Sequence, residues 1–412
     1  MKGSREVLYM SYDGMTDPLG QSQVLPYIVG LSMAGYRFTL ISCEKPDRFA
    51  AGKNVIQKIC DDNQIEWHPL NYTKHPPILS TVFDLRKMWR LAMRLQKEKF
   101  FSLVHCRGYI TSIAGLEMKR KYGVPFLFDM RGFWADEKVD AGAWKLTNPV
   151  YRPVYKYFKR KESEFLSESD KVISLTHKGA EEMLKWGVKG LTPDKISVIP
   201  CAADTDLFNP EQVSSEMKDS LKKKLGIRND DIVISYLGSI GTWYMLDEML
   251  SFFKEAGRRM EHTKMLFITY DEHERILSTA KKMGIDPGQI IIRPGRRDEV
   301  PALVSLSNIS VFFIRPTYSK ISSSPTKQGE LMAMGIPVIC NDRVGDVEYI
   351  VNTTGSGYVI HDFQSSDFEM AVAQIPLLLK SDHNAIRSKA IEFYSLDCII
   401  PQYVLCYKKL LP

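Results

Sequence analysis

Ser322-Ser323-Ser324-Pro325-Thr326-Lys327-Gln328-Gly329-Glu330-Leu331-Met332-Ala333-Met334-Gly335-Ile336-Pro337-Val338-Ile339 reads as loop, helix and strand in succession. A small polar run ends at Pro325, whose fixed φ suits the start of a helix. Gly335 and Pro337 close that helix, and Val338-Ile339 begins an apolar strand. Backbone N–H groups and the positive end of the helix dipole then point outward beside Lys327, which makes an anion site from the amides of Ser324 and Thr326 and the Lys327 ammonium. Glu330 follows at i, i+3 on the same side, where a carboxylate can accept from a diol such as ribose. The alternative is a capped α/β helix with Lys327 and Glu330 as a surface ion pair.

The same loop-helix-strand rhythm extends in both directions. Strand-like segments at residues 7–12, 38–43, 102–106, 125–129, 172–175 and 196–199 alternate with amphipathic helical ones. A second series follows at residues 232–237, 265–270, 290–293, 310–315, 337–341 and 358–360. Each series is the pattern of a parallel sheet covered by helices. The polar, lysine-rich stretch 209–228 separates them. The expected organisation is an N-terminal lobe over residues 1–208, a C-terminal lobe over 209–393, and a terminal helix over 394–412 that packs back toward the N-terminal lobe. Two such sheets facing each other create a crevice at the carboxyl ends of their strands, the expected active site.

Composition narrows the class. A chain of 412 residues is long enough for two sizeable cores. With 44% hydrophobic and 25% charged residues it belongs among ordinary globular proteins. A formal charge of +6 is too mild to argue for nucleic acid. The 7 cysteines are odd in number and scattered, without the close pairs of zinc sites, and read as reduced and structural. No signal-peptide pattern and no run of about 18 uncharged apolar residues is present. A cytoplasmic protein is expected, with a peripheral place on the inner face of the plasma membrane as the variant.

The segment 322–339 resembles the donor-binding helix of the family 4 retaining glycosyltransferases. In that family a second Glu, here Glu330, holds the ribose of the nucleotide, while the position of the first Glu is taken here by Ser322. The resemblance covers nearly the whole chain and implies the GT-B fold: α/β, with two Rossmann-like doubly wound parallel-sheet domains facing across a cleft. It places donor binding on the C-terminal lobe and acceptor binding on the N-terminal lobe. Lys327 and the amides around Ser324 and Thr326 stand in for the missing first Glu.

Other landmarks follow the same family pattern. Asp13-Gly14-Met15-Thr16-Asp17-Pro18-Leu19-Gly20-Gln21 resembles its glycine loop, with Gly20 the best-matching residue. The dinucleotide fingerprint of three spaced glycines is absent, which argues against a dehydrogenase. Gly238-Ser239-Ile240-Gly241-Thr242-Trp243 occupies the first loop of the second lobe, where the family commonly places an Arg and a Lys; neither is present. Gly238, Ser239 and Thr242 are the expected phosphate contacts there, with Lys327 and Arg131 as substitute cations. The other reading is a tight turn with Trp243 packed on the surface. Asp204-Thr205-Asp206 matches the family's turn between lobes rather than a metal-binding Asp-x-Asp, so no metal and no cofactor beyond the donor substrate is expected.

In Phe128-Asp129-Met130-Arg131-Gly132-Phe133-Trp134-Ala135-Asp136-Glu137, Arg131 stands where relatives carry His. Arginine offers permanent charge and a bidentate fork but no usable proton. The expected catalytic set is therefore Arg131, Asp129 and Lys327, with Asp136 and Glu137 on acceptor hydroxyls; the structural alternative is a buried Asp129–Arg131 pair. The implied reaction moves a sugar with retention from a nucleotide-diphosphate sugar to a glycan or lipid-linked acceptor. A nucleotide-sugar 2-epimerase and an inactive donor-binding subunit are the competing classes. Arg86, Arg90, Arg94 and Lys97 collect on one face of a helix whose other face carries Met88, Leu91, Ala92 and Leu95. With the basic, aromatic run 151–161 they form a candidate contact for anionic lipid. The plainer reading of both is a helix packed on the sheet with its charges in water.

Overall fold

A computed structural model describes residues 5–271 and 273–411. The chain divides into two compact units, Met1–Cys201 with Leu396–Pro412, and Ala202–Ser395. The division falls a few residues before the expected one at 208. Its reason is Phe208, which is buried with Ala203 in the core of the second unit.

Unit 1 is built on seven parallel strands: β1 (Glu6–Ser11), β2 (Arg37–Glu44), β3 (Glu66–Asn71), β4 (Leu103–Arg107), β5 (Phe126–Asp129), β6 (Lys171–Ser174) and β7 (Ile196–Val198), in the order β3-β2-β1-β4-β5-β6-β7. β1, β2, β4, β5 and β6 are buried along nearly their whole length, as near-continuous apolar runs covered on both faces must be. β3 has no counterpart among the expected strands. Its sequence, Glu-Trp-His-Pro-Leu-Asn, is polar and interrupted by Pro69, and among the described strands it pairs only with β2. A proline that cannot donate to a ladder is tolerated at such an edge. The strand order reverses between β1 and β4, so the carboxyl ends of Ser11, Arg107 and Asp129 converge at the point where doubly wound sheets bind ligands.

The terminal helix Leu396–Leu410 belongs to this unit. It packs against the helix Leu25–Met33: a Cβ on Gly30 would sit 2.7 Å from Ile400, and the Tyr27 and Tyr403 rings lie 5.6 Å apart. Tyr403 and Tyr407 are fully buried and carry the helix into the sheet's core.

Unit 2 has six parallel strands: β8 (Ile232–Leu237), β9 (Thr263–Ile268), β10 (Ile290–Ile292), β11 (Ile309–Phe312), β12 (Val338–Asn341) and β13 (Gly357–Ile360), ordered β10-β9-β8-β11-β12-β13. Here the order reverses between β8 and β11. The loop after β8 and the segment between β11 and β12, which ends in the helix Thr326–Ala333, therefore meet at one end of the sheet.

Candidate functional site

In unit 2 the quoted stretch folds as it reads, with a 3-10 turn Tyr318–Ser322, the helix Thr326–Ala333 with Pro325 at its N-cap, and β12. Pro325 has no hydroxyl or carboxamide to offer and no side chain caps this helix; within its first turn, Gln328 N–H donates to Pro325 O at 3.0 Å. Lys327 and Glu330 lie on one side but are both buried, at 8% and 7% exposure, so the surface-ion-pair alternative is set aside. Lys327 Nζ donates to Tyr236 Oη at 3.0 Å and lies over two aromatic rings, 3.5 Å from the centre of Tyr244 and 4.3 Å from that of Tyr236. Burial pulls its ammonium well below the ordinary lysine value, with Glu330 opposing. Gly238 makes this seat possible: its φ is +114°, and a Cβ there would stand 3.0 Å from Lys327 Nζ.

Glu330 is instead held by Arg297, whose guanidinium also lies 4.8 Å over the Phe208 ring. Arg297 escaped the sequence reading because it follows β10, more than thirty positions from Glu330. Ser322 is buried and its hydroxyl donates to Ser319 O at 2.9 Å, so it serves the 3-10 turn in place of the family's carboxylate.

The loop after β8 is built from several sides. Tyr236 Oη donates to Ser239 O, Asp271 accepts from Ile240 N–H, Arg275 donates to Ile240 O at 3.1 Å, and Arg315 donates to Thr242 O at 2.7 Å. Ser239 and Thr242 remain exposed at its tip. Trp243 does not simply pack on the surface: Lys320 Nζ lies 3.6 Å from its ring centre. The loop that lacks the family's Arg and Lys thus has two lysines supplied by the segment between β11 and β12, Lys320 from its 3-10 turn and Lys327 from its helix, and only the second was legible as a site residue. Asp204 accepts from Leu207 N–H at 2.9 Å, the Asx-type cap expected of a turn.

In unit 1, Gly20 is buried and the space of its missing side chain is filled by Gly14 O and Met15, so this glycine closes the loop upon itself. Glu44 at the end of β2 holds the loop, accepting from Met15 N–H at 2.7 Å, Thr16 N–H at 3.1 Å and the Thr16 hydroxyl at 2.6 Å. Asp17 pairs with Lys45 and Arg48 at 2.8 and 2.7 Å.

Asp129 and Arg131 end and follow β5, and the structure shows them as a buried pair 3.8 Å apart. Arg131 has φ +55°, a left-handed backbone that costs a non-glycine residue on the order of 1 kcal/mol or more. Its guanidinium donates to Cys201 Sγ at 3.1 Å and to Gln23 Oε1 at 3.4 Å. Two further groups face Asp129 that the sequence reading missed: His105 Nε2 at 3.5 Å and Arg107 Nη1 at 3.9 Å, both from β4. Arg107 also reaches Asp13 at 3.6 Å. Burial alone would raise the Asp129 carboxyl, but Arg131, His105 and Arg107 outweigh it and hold it below its ordinary value. Burial likewise keeps the His105 imidazole below its ordinary value.

Asp136, expected on acceptor hydroxyls, is turned toward the helix that follows it. It is buried and accepts from Tyr155 Oη at 2.8 Å and Lys159 Nζ at 2.9 Å, while Lys159 also pairs with Glu162. Glu137, one residue on, is only half-buried. In the run 151–161, Lys159 is committed to Asp136 and Glu162, and Lys161 to Glu164 at 2.8 Å, while Arg152, Lys156 and Arg160 stay exposed. The helix Leu79–Lys99 does separate its faces, with Met88, Ala92 and Leu95 buried and Arg86, Arg90, Arg94 and Lys97 exposed. Its first turn adds exposed Leu79, Val82 and Phe83. Among the described residues no helix is long and apolar enough to cross a membrane.

Residues 24–207 match the family described as Glycosyltransferase Family 4, and residues 217–392 match Glycosyl transferases group 1. A D-inositol 3-phosphate glycosyltransferase of Acidothermus cellulolyticus is 20% identical over 69% of this chain, a stretch spanning 61% of that relative. An Escherichia coli UDP-Gal:alpha-D-GlcNAc-diphosphoundecaprenol alpha-1,3-galactosyltransferase is 22% identical over 72% of both chains. Among solved structures, Anabaena Alr3699/HepE in complex with UDP and glucose superposes with a TM-score of 0.69 at 11% identity, covering 98% of this chain and 99% of that one. That likeness shows the fold. With two parallel-sheet units of this topology and both halves matched, the chain belongs to the family 4 glycosyltransferases of the GT-B type.

Proposed function

We propose that this chain transfers a sugar, with retention of anomeric configuration, from a nucleotide-diphosphate sugar bound on unit 2 to a glycan or lipid-linked acceptor in cell-surface polysaccharide or glycoconjugate synthesis. The observation that carries the reading is the seat of Lys327, a buried ammonium caged by Tyr236 and Tyr244 against Gly238, beside an uncapped helix N-terminus. A lysine held this way in a dry setting costs free energy unless an anion returns its charge. A diphosphate at the helix start does so, with Lys320 near Trp243 as a second cation. Glu330, fixed by Arg297, is then one turn away to accept from ribose hydroxyls. The printed activities of the two relatives, one using UDP-galactose on a diphospholipid-linked sugar and one acting on an inositol phosphate, support the substrate classes.

In the transfer step the acceptor oxygen bonds the anomeric carbon on the face from which the diphosphate leaves. The bond between that carbon and the phosphate oxygen breaks, and the acceptor proton passes to the departing phosphate. The protein's part is positioning and electrostatic stabilisation: the lysine amines and helix amides of unit 2 suit the leaving group, and the permanent charge of Arg131 is the proposed catalytic charge of unit 1. No side chain is assigned as nucleophile and no metal ion is required. Nuclear magnetic resonance of the product formed in excess EDTA tests both points. An α-linked product from an α-configured donor is expected at an undiminished rate; an inverted product, or loss of activity restored by manganese, would replace the mechanism. Epimerised nucleotide sugar from donor alone would replace the reaction class.

A further inference from the structure

The buried groups around Asp129 form a chain that starts in the C-terminal helix. Tyr407 Oη lies 2.7 Å from His105 Nδ1, His105 Nε2 lies 3.5 Å from Asp129 Oδ2, and Asp129 Oδ1 lies 3.8 Å from Arg131 Nη1. The direction follows from chemistry. Facing His105 Nε2 at 3.5 Å, an ionised Asp129 favours the imidazole proton on that nitrogen by charge, and Nδ1 is then left to accept from the Tyr407 hydroxyl. The imidazole is fixed in place as well as in tautomer. Its ring is 4.3 Å from that of Tyr9 and 5.9 Å from those of Tyr403 and Tyr407, so it is boxed by the sheet on one side and the terminal helix on the other.

This wiring is unusual for a core. Both Asp129 oxygens, His105 Nε2, and Nε and Nη1 of both Arg107 and Arg131 are buried and make no hydrogen bond among the described residues. Their ion-pair distances lie beyond hydrogen-bond range, so the cluster is held by charge and by its rim. A buried polar cluster left so incompletely satisfied costs stability, and such costs collect at functional sites. It also sits at the carboxyl ends of β4 and β5, at the strand-order reversal, with Arg131 on a left-handed backbone.

We propose that the C-terminal helix sets the orientation of the Arg131 guanidinium through Tyr407, His105 and Asp129, making these three positioning residues for the transfer step. The helix that ends the chain is then a working part of the site in unit 1. The proposal rests on the transferase reading for its consequence, but not for the coupling itself.

Two measurements test it, both on the full chain. With 15N-labelled arginine and histidine, and the Arg131 signal identified by its loss in Arg131→Lys, His105 is expected as the Nε2–H tautomer. Tyr407→Phe, which keeps the ring and removes only the hydroxyl, is expected to move the Arg131 Nε signal while the exposed Arg296 signal stays in place. An unmoved Arg131 signal in folded Tyr407→Phe overturns the coupling. In release of nucleoside diphosphate from a nucleotide sugar, Tyr407→Phe is expected to lower kcat at least tenfold with donor KM within twofold. On an Arg131→Ala background the same change is expected to have less than a twofold effect, because its target is gone. Equal losses in both backgrounds would show a merely structural hydroxyl and overturn the proposal. A coupled Arg131 signal in a wild-type chain without turnover on any nucleotide sugar would instead overturn the transferase reading and leave the coupling standing.

Discussion

At the scale of single residues, the donor site turns on two side chains of one helix that do different work although they lie three positions apart. Glu330 is presented by Arg297, so the carboxylate is oriented before any ligand arrives. Glu330→Ala is therefore expected to weaken nucleotide-sugar binding at least tenfold, about 1.4 kcal/mol, as read by titration calorimetry on the folded variant. Unchanged affinity would remove the ribose assignment. Lys327 makes a prediction in pH. Its folded-state pKa lies well below the ordinary lysine value, so the unfolded chain binds the extra proton between the two values. For this group alone, stability without ligand rises with pH through that window. A bound diphosphate favours the ammonium and raises the pKa again, so binding takes up a proton and weakens as pH rises. Calorimetry in buffers of unequal ionisation enthalpy is expected to show that uptake in the wild type between the lowered value and the ordinary lysine value, and not in Lys327→Met. Much of this was legible, because a proline-opened helix carrying Lys and Glu at i, i+3 is a local pattern. Arg297 and the aromatic cage were not, since each reaches the site from another loop or strand, and Lys320 was not, since only its approach to Trp243 of the β8 loop marks it.

At the scale of elements, the two helices read as basic stretches come apart. The helix Leu79–Lys99 keeps Arg86, Arg90 and Arg94 in water beside exposed Leu79, Val82 and Phe83, a basic stripe with an apolar tip. Reversal of these three arginines to Glu is expected to abolish co-sedimentation with vesicles containing anionic lipid at low salt, since each contributes on the order of 1 kcal/mol near such a surface. Wild-type protein that stays in the supernatant would leave only the packing role. The helix Tyr151–Glu168 predicts the opposite: Lys159→Glu would place a third carboxylate against Asp136 and Glu162, lowering the melting temperature rather than lipid affinity. Helical periodicity sorts charges by face, but it cannot see which of them meet a carboxylate from another helix. The same limit hid β3, whose Pro69 and polar residues suit only an edge that the sheet order reveals. The interior strands were legible because burial on both faces leaves apolar runs that no exposed segment imitates.

At the scale of the molecule, two parallel sheets each reverse strand order once, and each reversal gathers charged side chains: Arg107, Asp129 and Arg131 in unit 1, Lys320 and Lys327 in unit 2. Doubly wound topology puts ligand sites there for a geometrical reason, because adjacent loops diverge to opposite faces and leave room between them. The central claim is that the unit 2 reversal binds the diphosphate of a nucleotide sugar through Lys327. Titration calorimetry of a panel of nucleotide sugars against the wild type and Lys327→Met tests it most directly. At least one member is expected to bind the wild type and to raise its unfolding free energy by about 2.7 kcal/mol at a hundredfold excess over Kd, with affinity at least tenfold weaker in the variant. Equal affinity in both proteins, or no binding of any nucleotide sugar to the folded wild type, would contradict it.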